Sequence, residues 1–448
     1  RSIYLALGYV TGPRTMFVGI TSLSTGCLYN WQDGKEQTIP YHQETDVSPA
    51  STSRTHEQIV TELRTRVDTS VEAQLVSDRP VGLFLSGGWD SSVVAASMRR
   101  ARPDASMKAF TVRFAHDTDD KKFNQDADIA KKTAQALAIQ HYEVSLSAND
   151  VIARADQVAF ALDQPSANHS IYALDKVATL AATEVPVVLS GDGGDESFGG
   201  YTRYAFVERM KWWMRVPVSA RRGLVRSLSS STWVRNHADA LEASSAAALF
   251  TSFHAAPSRQ LSRWFPGVAH PFASAEQIFA ERIESLHLSS QDPVATFMAV
   301  DRALWLRDDA FPRADRMTML HGLEARVPLT DDALVAFAAS LPTHLHVSHG
   351  QLKQLWREAF ADQVQPEVRA LPKRGWFPPT AKWWRAGLHD WANAIIEEAI
   401  QEHAWMDGPT IRKAFKDHVE HKGYYLHELW TVIGYQLWWR AYRNDLGI

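Results

Sequence analysis

At 448 residues with 45% hydrophobic content, the chain is long enough for about three domains and has ample material for a buried core. A formal net charge of −4 leaves no global basic field to gather nucleic acid or an anionic membrane surface, so a small or local substrate is expected, with no nucleic acid and no membrane partner. The lone Cys27 excludes intrachain disulfides and cysteine metal clusters and is assigned to packing; with no apolar run near the roughly 18 residues of a membrane span and no leader-like start, a cytoplasmic protein is expected.

Residues 1 to about 42 read as short β-rich pieces with turns at Gly12-Pro13 and Gly26. They open as RSIYLALGYV, without methionine and as if inside an element, which sets the expectation of further sequence upstream. Residues 41–55, with Pro49 and several Ser and Thr, read as a linker, and residues 56–77 carry apolar residues at helical spacing. Strand-like and helix-like segments then alternate: 81–85, 90–100, 109–114, 126–137, 141–144, a helical region, and 185–189. That alternation predicts an α/β fold, a parallel sheet covered by helices with ligands at the C-terminal strand ends, followed beyond Tyr204 by a largely helical half.

Two loops carry the chemistry. In PVGLFLSGGWDSS a short apolar strand meets Gly87 and Gly88 and restarts as a helix at Asp90-Ser91-Ser92, a concavity of amide donors backed by a helix dipole that suits phosphate. It lacks the GxxxxGK[ST] pattern and its lysine, so nucleotide chemistry of another type is implied. About a hundred residues later the strand 185–189 enters LSGDGGDESFGGY, again Ser-Gly-acid, with Asp192, Asp195 and Glu196. Carboxylates beside a phosphate cradle repel the ligand unless a cation lies between, and hard oxygen donors are what Mg²⁺ prefers, so Asp90 and Asp195 are the metal candidates.

SGGWDSS resembles the pyrophosphate-binding motif of the ATP pyrophosphatases, and SGDGGDESFGGY is similar to the second signature of glutamine-dependent asparagine synthetases. LDQPSANHS, PRADRMTMLHGLEARVPLTD, LKQLWREAF, LPKRGWFPP and LHELWTVIGYQLWWR match family segments in order. The resemblance implies an adenine nucleotide α-hydrolase type of fold. Residues 1–55 would be the end of a glutaminase-like N-terminal domain plus linker, and residues 56–448 the synthetase domain. It implies ATP and Mg²⁺, a carboxylate substrate (aspartate first, a peptide or other acid otherwise) activated as an acyl adenylate with loss of pyrophosphate, and attack by ammonia or an amine. Ser86, Gly87, Gly88, Asp90, Ser91 and Ser92 would hold pyrophosphate, with Leu85, Val112, Ser190 and Gly191 flanking the nucleotide. Lys373 would reach the phosphates and the intermediate, Asp192 would take a proton from the attacking amine, and Asp195 would act with them.

The family's N-terminal glutaminase cysteine is not in this chain, and the resemblance leaves room for an upstream glutaminase domain or partner and for a homodimer. Lasso-peptide macrolactam cyclases, β-lactam synthetases and amidotransferases of polysaccharide sugar acids share the same motifs and remain alternatives, as does a non-catalytic nucleotide-binding scaffold. Asp192 stands where asparagine synthetases usually have Glu, and Gln125, Gln164 and Asn168 replace usual acids, departures that bear on substrate more than on adenylation. His344, His346 and His349 are not expected to ligate metal, His418 and His421 are expected on the surface, and Trp383, Trp384, Trp430, Trp438 and Trp439 in the core.

Overall fold

The computed structural model describes residues 1–42, 54–115, 121–288, 292–373, 375 and 377–446. It begins with a helix, α1 (Ser2–Leu7), and an antiparallel hairpin, β1 (Cys27–Gln32) with β2 (Lys35–Pro40). The hairpin is the β-rich part expected of this region, and the turns fall at Gly12-Pro13 and Gly26 as read. Tyr4 to Leu7 are four consecutive buried residues, and that burial favours a helix here: Tyr4 Oη donates to the carbonyl of Thr431, and Ala256 N to that of Ala6. Cys27 is half-buried on an otherwise exposed hairpin. Most of the expected linker, residues 43–53, lies outside the described residues.

The centre is a five-stranded, all-parallel sheet. Helix α2 (His56–Gln74), started by a Thr55–Gln58 capping box, leads to β3 (Val81–Phe84), α3 (Trp89–Ala101), β4 (Lys108–Phe114), α4 (Lys121–Ala136) and β5 (Gln140–Leu146). After α5 (Ala148–Ala161) and α6 (Ile171–Ala182) the chain returns as β6 (Val187–Leu189), and a short β7 (Glu324–Arg326) completes the order β5-β4-β3-β6-β7. Alternation along β4 feeds two cores. Ala109 joins Leu83, Leu85 and Leu189 under α2, α3 and α4, whereas Phe110, Val112 and Phe114 join α5, α6 and the helical half on the other face.

Because the chain leaves β3 towards β4 and β5 and then comes back to β6 on the other side, the gap between β3 and β6 is a topological switch point. Both glycine loops leave the C-terminal ends of these two neighbouring strands. The fold is the α/β ATP-pyrophosphatase type with a helical C-terminal half, in which a small hairpin, β8 (Val347–Ser348) with β9 (Gln351–Leu352), interrupts the helices.

Trp383, Trp384, Trp430 and Trp438 are buried, as expected, and Trp439 is half-buried. His418 corrects the expectation of a surface pair: it is fully buried, edge-on to Trp384 at 5.3 Å, and its Nδ1 accepts from Tyr425 N, while His421 is exposed. Burial lowers the His418 pKa to about 4, so it packs as a neutral imidazole.

Candidate active site

The first loop is closed on itself by serine hydroxyls. Ser91 Oγ lies 2.9 Å from Ser86 Oγ and accepts from Ser86 N, and the fully buried Ser92 donates to Gly88 O at 2.7 Å. As placed, Ser91 and Ser92 therefore shape the cradle, while Gly88 leaves its mouth open: a Cβ there would meet only Ser86 Oγ, at 3.2 Å. Leu85, just after β3, and Val112, within the C-terminal half of β4, are buried, and Thr111 Oγ1 donates to Leu85 O at 2.6 Å.

The second loop runs from Ser190 into α7 (Gly194–Phe198) and lies directly against the first. A Cβ on Gly191 would stand 2.7 Å from Ser91 N, so only glycine permits this approach. Gly193 has φ +86, and a Cβ there would collide with Thr330. Asp192 is exposed at the rim, its Oδ2 accepting from Ser190 Oγ at 2.6 Å.

Asp90 and Asp195 come together, as the sequence suggested, but around a lysine that the sequence reading passed over. Lys353 Nζ lies 2.6 Å from both Asp90 oxygens and 2.7 Å from Asp195 Oδ1. Lys373 Nζ pairs with the other Asp195 oxygen. Burial pushes the Asp90 carboxyl up, and its attraction to Lys353 does not fully offset this. For Asp195 burial acts the same way, but Lys353 and Lys373 together outweigh it and hold the carboxyl below its usual range. Burial would lower Lys353, yet its two carboxylates raise it, so it stays an ammonium. The available signal for Lys353 was a lone lysine immediately before the helix Gln354–Phe360 inside LKQLWREAF.

Whether this donor set fits Mg²⁺ can be judged from its chemistry. Two adjacent carboxylates, with phosphate and water completing the shell, are what Mg²⁺ takes in nucleotide sites. Lys353 already neutralises them, and among the described residues no group of three or more His, Cys, Asp or Glu is arranged for a metal. Asp90 and Asp195 fit the ion in kind, with phosphate as the further partner.

Gln164 and Asn168, noted in the sequence as departures, each hold a local hydrogen bond. Gln164 Oε1 accepts from Met16 N at 2.8 Å and pins the N-terminal loop, and Asn168 Oδ1 accepts from Ser170 N and Oγ at the start of α6. His346 is buried and neutral, its Nε2 against Ala338 O at 3.0 Å.

Next to Asp195, Glu196 is buried and accepts from Tyr201 Oη at 2.6 Å. Burial, helped by the Asp195 charge and opposed by the Tyr201 hydrogen bond, raises its pKa to about 7 from the usual 4.5. Since the folded state keeps a proton that the unfolded chain releases, stability is full below pH 4.5 and falls as pH rises towards 7. Glu196→Gln is expected to flatten this fall and to exceed wild type above pH 7 by about 3 kcal/mol. Urea unfolding of both proteins at pH 5 and pH 8 measures it; equal pH dependence in the two would show that Glu196 is ionised in the fold.

Two glycine loops lie at neighbouring ends of parallel strands in a fold of the ATP-pyrophosphatase type, with acids and ammonium groups at their junction. The family model described as asparagine synthase matches residues 62–440, and the chain belongs to that family. It is 27% identical over 444 residues to asparagine synthetase [glutamine-hydrolyzing] 1 of Bacillus subtilis, covering 97% of this chain and 67% of that protein. To a putative asparagine synthetase [glutamine-hydrolyzing] of Mycobacterium bovis it is 29% identical over 447 residues, covering 97% and 66%. To human asparagine synthetase [glutamine-hydrolyzing] it is 25% identical over 395 residues, covering 84% and 55%. The chain thus spans about two thirds of the length of the two bacterial relatives.

Proposed function

We propose that the chain is an ATP-dependent, AMP-forming amide synthetase whose first carboxylate to test is the aspartate side chain. What supports the reading is the convergence of Lys353, Lys373, Asp90 and Asp195 where the two glycine loops touch. A substrate carboxylate oxygen attacks the α-phosphorus of ATP, the bond from that phosphorus to the bridging β-oxygen breaks, and pyrophosphate leaves with the electron pair. The amine nitrogen then attacks the acyl carbon, AMP leaves, and the nitrogen loses a proton, for which Asp192, the exposed acid of the second loop, is the candidate acceptor.

In the first step negative charge grows on the departing pyrophosphate, and Gly87, Gly88, Lys353 and Lys373 are the groups that would meet it. Leu85, Val112, Ser190 and Gly191 would flank the nucleotide. Mg²⁺, held by Asp90 and Asp195, would supply further neutralisation of phosphate charge when bound. Ammonia or a substrate amine would be the nucleophile, with a glutaminase unit ending near residue 55 as its source in a longer protein. The test is product analysis with labelled ATP: AMP and pyrophosphate are expected, whereas ADP and phosphate would overturn the assignment.

A further inference from the structure

Residues 209–238 contain seven Lys and Arg and no Asp or Glu, in a chain whose net charge is −4. The overall balance conceals this cluster. The segment forms the end of α8 (Thr202–Trp213), then α9 (Val218–Ser227) and α10 (Thr232–Asn236). Met210, Val225, Val234 and Leu241 make a small core of their own beneath it, and Arg221 is buried there, donating to the carbonyls of Val216 and Leu241. The inward side of these helices is therefore accounted for.

The outward side is unusual in two respects. Trp212, Leu228, Trp233 and Leu224 are 73%, 55%, 54% and 47% exposed. On the same helices and the turns between them Arg209, Arg215, Arg222, Arg226 and Arg235 are exposed, and among the described residues none of these five has a carboxylate partner. Arg215 stacks on Trp212 at 4.3 Å, Arg235 donates to the carbonyls of Ser229 and Ser230, and Lys211 is the one cation here paired with an acid, Asp292. Leu224 and Leu228 are four apart, so they stand side by side along α9 and its end.

We propose that this face binds the surface of an anionic lipid bilayer. Lipid phosphates would take the unpaired guanidinium groups, while Trp212, Leu224, Leu228 and Trp233 would enter the boundary between headgroups and acyl chains. Nucleic acid would satisfy the arginines and leave both leucines in water, and an acidic peptide would do the same unless it also carried apolar residues. None of these residues belongs to the glycine loops, and the proposal does not rest on the catalytic reading. With no membrane-spanning helix among the described residues, such attachment would be peripheral and reversible.

The test is co-sedimentation of the full chain with vesicles of phosphatidylcholine alone and of phosphatidylcholine mixed with phosphatidylglycerol, at low and physiological salt. Binding is expected to the anionic vesicles only, weakening as salt rises. Arg222→Gln with Arg226→Gln should lower the partition roughly thirty-fold, and Leu224→Ser with Leu228→Ser roughly ten-fold or more. Arg222→Lys with Arg226→Lys should bind as wild type. All four side chains are exposed, and thermal unfolding of each variant confirms that the fold is kept. Absence of binding to anionic vesicles, wild-type binding by both loss variants, or capture by single-stranded DNA or polyglutamate in preference to vesicles would each overturn the proposal.

Discussion

Lys353→Met is expected to destabilise the protein by about 3–5 kcal/mol, because it removes the ammonium of a buried charge cluster, leaving Asp90 uncompensated and Asp195 with Lys373 alone. The side chains of Asp90 and Asp195 are only 18% and 15% exposed, and each now faces a like charge. With Lys353 gone, burial and the Asp195 charge would raise the Asp90 carboxyl further, so the deficit should be largest at pH 7–8 and shrink towards pH 5, where Asp90 takes up its proton more readily. Adding Asp90→Asn should recover part of the loss by ending the repulsion. Urea unfolding of the single and double variants across that range is the check; a deficit that does not vary with pH would mean that Lys353 acts through packing alone.

Lys373→Ala is expected to behave in the opposite way, leaving stability nearly intact and lowering turnover roughly a hundredfold to a thousandfold. Its side chain is 30% exposed, and its single ion pair with Asp195 adds little at such a position. Asp195 keeps Lys353 when Lys373 is removed, so no buried charge is orphaned. The cost falls on the departing pyrophosphate, whose charge Lys373 would meet only as the bond breaks, and affinity for ATP should change much less than rate. Lys373→Arg should rescue little, since a planar fork does not replace a compact ammonium in a fitted site. Near-normal turnover in Lys373→Ala with the fold intact would remove this lysine from the mechanism.

The contrast between the two lysines also marks what was readable in the sequence. The strands β3, β4 and β6 announce themselves as short, largely apolar runs, and their alternation with helices gives the parallel sheet, whereas the switch point rests on the strand order, which the structure supplies. The two glycine loops are legible because strand, Gly-Gly and helix start are adjacent in the chain. Lys353 is not, because its carboxylate Asp90 lies 263 residues away and no local pattern distinguishes it from a solvated lysine. A cation between the two acids was nonetheless required by their charges, and the sequence reading supplied it as Mg²⁺.

Two other elements were hidden for different reasons. β7 is Glu-Ala-Arg, three residues without an apolar run, and it becomes an edge strand only because β6 offers it a parallel partner. His418 was missed for another reason: it lies on the apolar face of its own helix, with Ile411, Ala414 and Phe415, but was read together with the exposed His421.

The central claim is that this site activates a carboxylate by adenylation. Isotope exchange between labelled pyrophosphate and ATP, run with the 448-residue chain and a panel of carboxylates beginning with aspartate, tests it most directly. Label is expected to enter ATP only when the right carboxylate is present, and Lys373→Ala to slow the exchange while ATP still binds. Failure of every carboxylate in the panel to support exchange by a folded, ATP-binding protein would contradict it.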